Sequence, residues 1–198
     1  MTESTIETVI ASILKDFSPV SPNSIALVRE SGEIVNYQKA DVIFQEKKYN
    51  AFEYFQLEGV SHRYNINIDG QQTTTGILNA PTVIIPHFAR TIDGQSIFSL
   101  QALTPCTLLK IPVGTFDELR NKYEQIRDFG QRVTEREFIH NLNYEVLFRT
   151  YSARDRLLFF RKRFPSLENL IPHTVIASFL GITPVSFSRL RNELSKKK

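Results

Sequence analysis

Residues 173–194 read HTVIASFLGITPVSFSRLRNEL, and this stretch decides the fold of the C-terminal part of the chain. Its first half carries apolar residues at helical spacing, namely Val175, Ile176, Phe179 and Leu180. Gly181 follows at once and accepts the left-handed backbone that ends many helices. Thr183 then offers an N-cap oxygen, and Pro184 suits the first helical position. The stretch therefore predicts a helix, a tight turn and a second helix.

The second helix has one apolar and one outward face. Phe187, Leu190 and Leu194 form the inner face, and the outward residues are Val185, Ser186, Ser188, Arg189 and Asn192. This pattern is typical of a helix-turn-helix, whose second helix enters the major groove of DNA. A plain helical hairpin is the alternative. The small Ala177 four residues before Gly181, the turn chemistry and the outward arginine together favour the DNA-binding motif.

Composition limits the function classes. The chain has 198 residues and an apolar share of 41 %, enough for packed cores. It has no run of 18 apolar residues and no basic, apolar leader, which predicts a cytoplasmic protein without a membrane segment. The single cysteine, Cys106, excludes an internal disulfide, a four-Cys zinc site and a Cys-ligated iron–sulfur cluster. No metal-spaced cluster, phosphate loop or nucleophile with its base is present, so we expect no metal, no cofactor and no enzymatic activity.

Positive charge is concentrated at the C-terminus. Residues 149–198 hold 11 Lys and Arg against 3 Asp and Glu, whereas the formal net charge of the whole chain is only +3. Basic residues around a helix-turn-helix favour a polyanionic partner. The closing Lys196–Lys198 also fits a plain solvated tail.

The rest of the chain divides into a strand-rich and a helical part. A capping box at Ser4–Glu7 predicts a helix over about 5–16, and Ser21-Pro22 starts a second helix that ends near Glu30. Short strands with turn signals occupy residues 34–111, which suggests a barrel or sandwich. From Thr115 the pattern is helical. We predict three units, 1–114, 115–150 and 151–198.

A long helix in the second unit carries an apolar seam with one irregular step near Arg136. We predict that it pairs two chains through Ile126, Phe129, Val133, Ile139 and Leu142. A single buried helix is the alternative.

The order of these elements resembles the Crp/Fnr family of bacterial transcription regulators, in particular its short Bacteroidetes-type members. The resemblance covers nearly the whole chain. It rests on Tyr37–Asp41, Tyr54–Gly59, the Asp69-Gly70 hairpin, Ser99–Leu103 and, most specifically, ASFLGITPVSFSRLRNEL at 177–194. It implies an α+β fold: a cyclic-nucleotide-binding-like β-roll (a double-stranded β-helix) with flanking helices, a dimerisation helix and a winged helix-turn-helix. Any wing hairpin must precede or lie within Phe164–Pro172, since few residues follow Leu194.

The resemblance also implies DNA contacts. Pro184, Val185 and Arg189 would occupy the base-facing positions, with Arg189 bidentate to a guanine. Phosphate contacts would come from Thr174, Ser186, Ser188, Arg191 and the terminal lysines.

The effector segment departs from the family pattern. Family members that bind cyclic AMP carry a Gly-Glu pair and a phosphate-binding Arg, whereas residues 79–90 read NAPTVIIPHFAR and the Arg position aligns near Ser96. Pro81 and Pro86 lack an N–H to donate. We therefore expect a divergent or absent effector rather than cyclic AMP. The candidate contacts for an unknown small anion are Thr82, His87, Arg90 and Ser96. A haem ligand from His62, His87, His140 or His173 is disfavoured.

These observations predict a homodimeric regulator of transcription that binds a roughly palindromic DNA operator, with RNA polymerase as a candidate further partner. The alternative is an effector-binding module, with a cyclic nucleotide as a candidate ligand, that acts through protein contacts and has a vestigial helix-turn-helix.

Overall fold

The computed structural model describes residues 1–195, and it combines antiparallel sheets with flanking helices, as predicted. Nine helices lie in the described part of the chain: α1 Glu3–Lys15, α2 Pro22–Glu30, α3 His87–Arg90, α4 Val113–Lys122, α5 Glu124–Thr150, α6 Ala153–Arg163, α7 Leu167–Leu170, α8 His173–Phe179 and α9 Pro184–Ser195.

Ten strands form the β-roll. They are β1 Glu33–Tyr37, β2 Val42–Phe44, β3 Phe52–Glu58, β4 Val60–Ile66, β5 Gln72–Asn79, β6 Thr82–Val83, β7 Thr91–Ile92, β8 Gln95–Ser96, β9 Ser99–Ala102 and β10 Cys106–Pro112. Two four-stranded sheets, in the orders β1-β10-β3-β6 and β2-β9-β4-β5, face each other, and β7 pairs with β8. All pairings are antiparallel, and their apolar inner faces form one core.

The predicted N-terminal capping box is displaced by two residues. Thr2 is the N-cap of α1, and its hydroxyl accepts a hydrogen bond from the Thr5 amide, so the helix begins at Glu3 and Ser4 lies inside it. Threonine is also a preferred N-cap residue, so either position satisfied the capping rule in the sequence. The predicted cap of α2 is confirmed, since Ser21 accepts from the Ser24 amide.

The long helix α5 presents different faces along its length. Ile126, Phe129 and Val133 are each about 1 % exposed and pack with α1 and β3 in a core of this same protomer. The prediction that these three residues pair two chains is therefore wrong. Ile139 and Leu142 are 57 % and 47 % exposed and lie on nearly the opposite side of the helix, at about 100° per residue. The irregular step near Arg136 marks this change of face.

The helix-turn-helix packs against the β-roll. One core cluster joins Val60, Ile77 and Leu103 of the β-roll to residues of α6, α8 and α9. At the edge strand β5, the Thr74 amide donates to Ser178 Oγ of α8 (2.8 Å). An edge strand presents unpaired backbone groups, and here α8 covers it. The core therefore crosses between the first and third predicted units, whose boundaries at 114 and 150 remain a prediction.

Residues 164–172 hold α7 and its flanks rather than a hairpin. Within residues 1–195 no β-hairpin lies beside α9. The helix-turn-helix is therefore present without the wing that the family resemblance implied. No helix of that part of the chain is long and apolar enough to cross a membrane.

Candidate DNA-binding surface and effector cavity

The turn of the helix-turn-helix has the geometry that its sequence predicts. Gly181 has a φ of +66°, which a side-chain-bearing residue adopts only with strain. The Ile182 amide donates to the Ala177 carbonyl (3.0 Å), and the Gly181 amide donates to the Ser178 carbonyl (3.0 Å). These bonds satisfy carbonyls at the end of α8 and fix the angle at which α9 leaves it.

The start of α9 is capped, and its base-facing positions are open. The Ser186 amide donates to Thr183 Oγ1 (3.1 Å), while Phe187 is buried against α8. The three predicted base-reading residues, Pro184, Val185 and Arg189, are all exposed. Within residues 1–195 no carboxylate lies within 4.0 Å of the Arg189 guanidinium, which leaves its donors available.

The predicted phosphate contacts are less uniform. Thr174 and Ser188 are exposed, whereas the hydroxyl of Ser186 accepts from the Thr183 hydroxyl (3.0 Å). Arg191 is already engaged, with its Nε 3.1 Å from Glu168 Oε1 and its Nη1 beside the His173 ring. The terminal lysines 196–198 lie outside the described residues. All these DNA contacts remain predictions.

Glu168 ties three helices of this unit together. Arg161 of α6 donates from Nε to Glu168 Oε2 (2.6 Å) and from Nη2 to Oε1 (2.9 Å), and Arg191 approaches from α9. The hydrogen bond from Arg161 is the main reason that the pKa of the Glu168 carboxyl lies below its usual value. The carboxylate thus links α9 to α6 and α7.

We expect Glu168→Gln to lower the melting temperature at neutral pH by about 2–4 °C, or about 1 kcal/mol for a partly exposed pair. Because the folded pKa is depressed, this stabilisation is complete above the unfolded value of about 4.3 and disappears as the pH falls below it. Thermal melts of both proteins across this range check the prediction. Glu193→Gln, at an exposed position of α9, is the control, and a difference that does not change with pH would contradict the assignment.

Three of the four predicted effector contacts lie in a buried polar network elsewhere. Arg90 is 0 % exposed, and its Nη1 donates to the Ile85 carbonyl (2.7 Å) and to Glu53 Oε2 (3.3 Å). Ser96 is buried and accepts from Asn50 Nδ2 (3.2 Å), and His87 Nε2 contacts the Asn50 carbonyl.

His87, Arg90 and Ser96 do not line the cavity described next, and their role as effector contacts stays a prediction. The pairing of Arg90 with Glu53 inside the sheet speaks against that role. Thr82 alone of the four predicted residues lies on the cavity described next.

A cavity of about 500 Å³ lies between the β-roll and the helices α1, α5 and α6. Its volume is in the range of small-molecule sites. The lining side chains that bear charge or a titratable ring are Asp16, Arg63, Arg136, Glu137, His140, Tyr144 and Arg163. Arg136 pairs with Asp16, so this pair is internally neutral.

Burial lowers the pKa of His140 below its ordinary value, and of the nearby charges Glu137 opposes this shift while Arg163, Arg136 and Arg63 add to it. The ring is therefore neutral at pH 7. Burial raises the pKa of Tyr144, which stays protonated. Outside the Asp16–Arg136 pair, the cavity holds two arginines against the single carboxylate of Glu137, an electropositive balance.

The sequence did not reveal this cavity, because its charged residues are distant in sequence. Arg63 lies in a stretch where the apolar residues Tyr64, Ile66 and Ile68 alternate with polar ones, which puts Arg63 on the polar face but does not say what covers that face. The one signal available in the sequence was the arginine itself, within a predicted strand. The structure buries residues on both faces of that strand.

The fold and this surface define a protein with an effector-type β-roll, a long helix and a helix-turn-helix. Residues 34–123 match the family model for the cyclic nucleotide-binding domain. Solved structures that share the fold include Crp/Fnr-type transcription regulators, so the predicted fold class and the resemblance to that family are confirmed.

Three structures illustrate the likeness. FixK2 from Bradyrhizobium japonicum aligns with a TM-score of 0.72 and 17% identity over 84% of this chain and 85% of that one. The c-di-GMP-responsive global regulator CLP of Xanthomonas campestris aligns at 0.70 and 11% over 89% and 93%. The catabolite activator protein of Thermus thermophilus aligns at 0.56 and 18% over 91% and 86%. These structural neighbours are regulators rather than enzymes. Among curated proteins, none matches the chain.

Proposed function

We propose that this protein is a homodimeric, sequence-specific DNA-binding regulator of transcription. The observation that carries the proposal is the exposed face of α9, where Pro184, Val185 and Arg189 stand free on a helix braced from behind by α8 and Glu168. An arginine on such a helix reads guanine through two parallel hydrogen bonds. Pro184 and Val185 have no side-chain donors, so they read thymine methyl groups or groove shape.

The charge distribution supports a DNA partner. Basic residues of the C-terminal unit outnumber acidic ones. One of the acidic residues, Glu168, forms ion pairs with Arg161 and Arg191. The remaining positive charge attracts the phosphate backbone and makes binding salt-dependent.

The exposed side of α5 supports a dimer. Phe138, Ile139, Leu142 and Val146 form a short apolar stripe on α5, and each side chain is about half exposed or more. A second copy supplies the same stripe, and a two-fold axis along the helix pair buries both at once. We propose that this pairing sets two α9 helices into successive major grooves, about 34 Å apart, on a roughly palindromic operator.

The effector domain differs from a cyclic AMP receptor in its residues. The 79–90 segment lacks the Gly-Glu pair, and Arg63 projects along the cavity that the β-roll shares with α5. We propose that the protein does not use cyclic AMP as its effector. RNA polymerase is the further partner that a transcription regulator requires if it activates.

The test is binding of a duplex selected from random sequences, measured by fluorescence anisotropy against a scrambled duplex of equal length. We expect the selected site to bind at least about 10³-fold more tightly, with affinity falling steeply as salt increases. If no selected duplex exceeds the scrambled one, the protein acts instead through protein contacts with a vestigial helix-turn-helix.

A further inference from the structure

The cavity beside the long helix contains an arginine that forms no ion pair with a carboxylate of residues 1–195. Arg63 projects from β4 toward the cavity, and its Cζ lies 5.5 Å from the centre of the Phe98 ring. Its Nε is buried and has no hydrogen-bond partner. Within residues 1–195 no carboxylate oxygen comes within 4.0 Å of the guanidinium, although Glu137 is near enough to act on it through space.

The neighbouring strand is shaped to admit this guanidinium. Gly76 of β5 lies opposite Arg63 in the sheet, and a Cβ there would overlap Arg63 Nε and come within 2.6 Å of Nη2. Any larger residue would push the guanidinium away. The strand pair therefore holds one cationic group at a defined place, although burying a charge without a partner costs free energy.

A second arginine reaches the same cavity from the DNA-binding unit. Arg163 ends α6 and lines the cavity together with Phe164. The other arginine there, Arg136, is neutralised by Asp16, and it leans on the Phe17 ring. Arg63 and Arg163 thus approach the empty space from two different parts of the fold, with the neutral His140 ring beside them.

We propose that this cavity is the binding site of a small oxyanion, a phosphate monoester or a carboxylate, gripped by the guanidinium of Arg63. A planar guanidinium donates two parallel hydrogen bonds to either group, and such charge-assisted bonds are strong where water is excluded. The oxyanion supplies the negative charge that no carboxylate of residues 1–195 places within 4.0 Å of the Arg63 guanidinium. Arg163 adds a second contact at the cavity wall.

The cavity lies next to the core that supports α9, so a ligand bound there can change the position of that helix. Phe164 belongs to the same core cluster as Ile176 of α8 and Phe187 of α9. An anion held between Arg63 and Arg163 therefore links the β-roll to the DNA-binding unit. This inference does not rest on DNA binding, and its test is made without DNA so that the two proposals fail separately.

The test uses the full chain, titrated by isothermal calorimetry with inorganic phosphate, 5′-AMP and citrate at constant ionic strength. We expect saturable binding of one ion per chain by a phosphate probe or by citrate, and the stronger of the two identifies the source of the oxyanion. Arg63→Met should weaken that binding by at least about tenfold, whereas Arg132→Met, which removes an exposed arginine of α5 outside the cavity, should leave it unchanged.

Gly76→Ala provides a second variant that keeps the arginine but displaces it. Because the atoms in its way are the far end of a flexible side chain, the sheet accommodates the methyl group while the guanidinium moves. We expect a loss of affinity similar to that of Arg63→Met. Absence of saturable binding by all three probes at millimolar concentration, or equal affinity in wild type and both variants, would overturn the proposal.

Discussion

Arg189→Ala is expected to reduce strongly the preference of the protein for its selected site while leaving binding to random duplex nearly intact. One bidentate arginine–guanine contact is worth about 1–3 kcal/mol of discrimination, or roughly 5- to 150-fold per half-site. The structure supports this assignment because Arg189 is exposed on α9 and has no carboxylate partner within residues 1–195. Its removal therefore costs no internal ion pair.

Two further variants separate base reading from phosphate contact. Arg191→Ala should weaken selected and random duplex alike and reduce the salt slope, since a phosphate contact positions the protein without reading sequence. It also releases Glu168, so its melting temperature must be measured alongside. Arg132→Ala, on α5, should change neither affinity. Equal losses on both duplexes for Arg189→Ala would reject the base-reading role.

The helix-turn-helix could be predicted from sequence because its determinants are local. Gly181 must adopt a positive φ at one helix end, Thr183 caps the next helix, and Phe187 follows at the spacing of an inner face. Each of these requirements involves residues a few positions apart. They therefore appear in the sequence as a recognisable string.

The effector region could not be predicted because its contacts join distant segments. From the sequence, Arg90 would be assigned to the surface. In the structure it is buried and donates a hydrogen bond to Glu53, which lies 37 positions earlier. Arg63, Gly76 and Arg163 meet only because β4 pairs with β5 and α6 returns to the sheet. Neither periodicity nor family order contains that information.

The long helix shows an intermediate case. Its apolar positions were found correctly, but periodicity alone does not say which partner each face meets. Burial assigns Ile126, Phe129 and Val133 to the protomer core and leaves Ile139 and Leu142 for another surface. The dimer prediction therefore depends on the second half of α5.

Leu142→Glu is expected to convert the dimer into a monomer. Leu142 lies between Ile139 and Val146 on the exposed stripe of α5, and a two-fold axis brings it close to its own copy. Two glutamates facing each other across an apolar contact repel and lose hydration, which a stripe this short does not offset. Light scattering should show a mass near that of one chain, 22.8 kDa, in place of twice that value.

Asn141→Glu is the matched control, since it places the same charge on the adjacent exposed residue, about 100° away around the helix. It should remain dimeric. Because Leu142 is 47 % exposed in the protomer, Leu142→Glu should keep its melting temperature when measured at concentrations where both proteins are monomeric. Its affinity for the palindromic site should fall to that for a half-site, because the two recognition helices no longer bind as a unit. A Leu142→Glu protein that stays dimeric would place the interface on another face. The proposed spacing of the two α9 helices, which depends on pairing through α5, would then no longer hold.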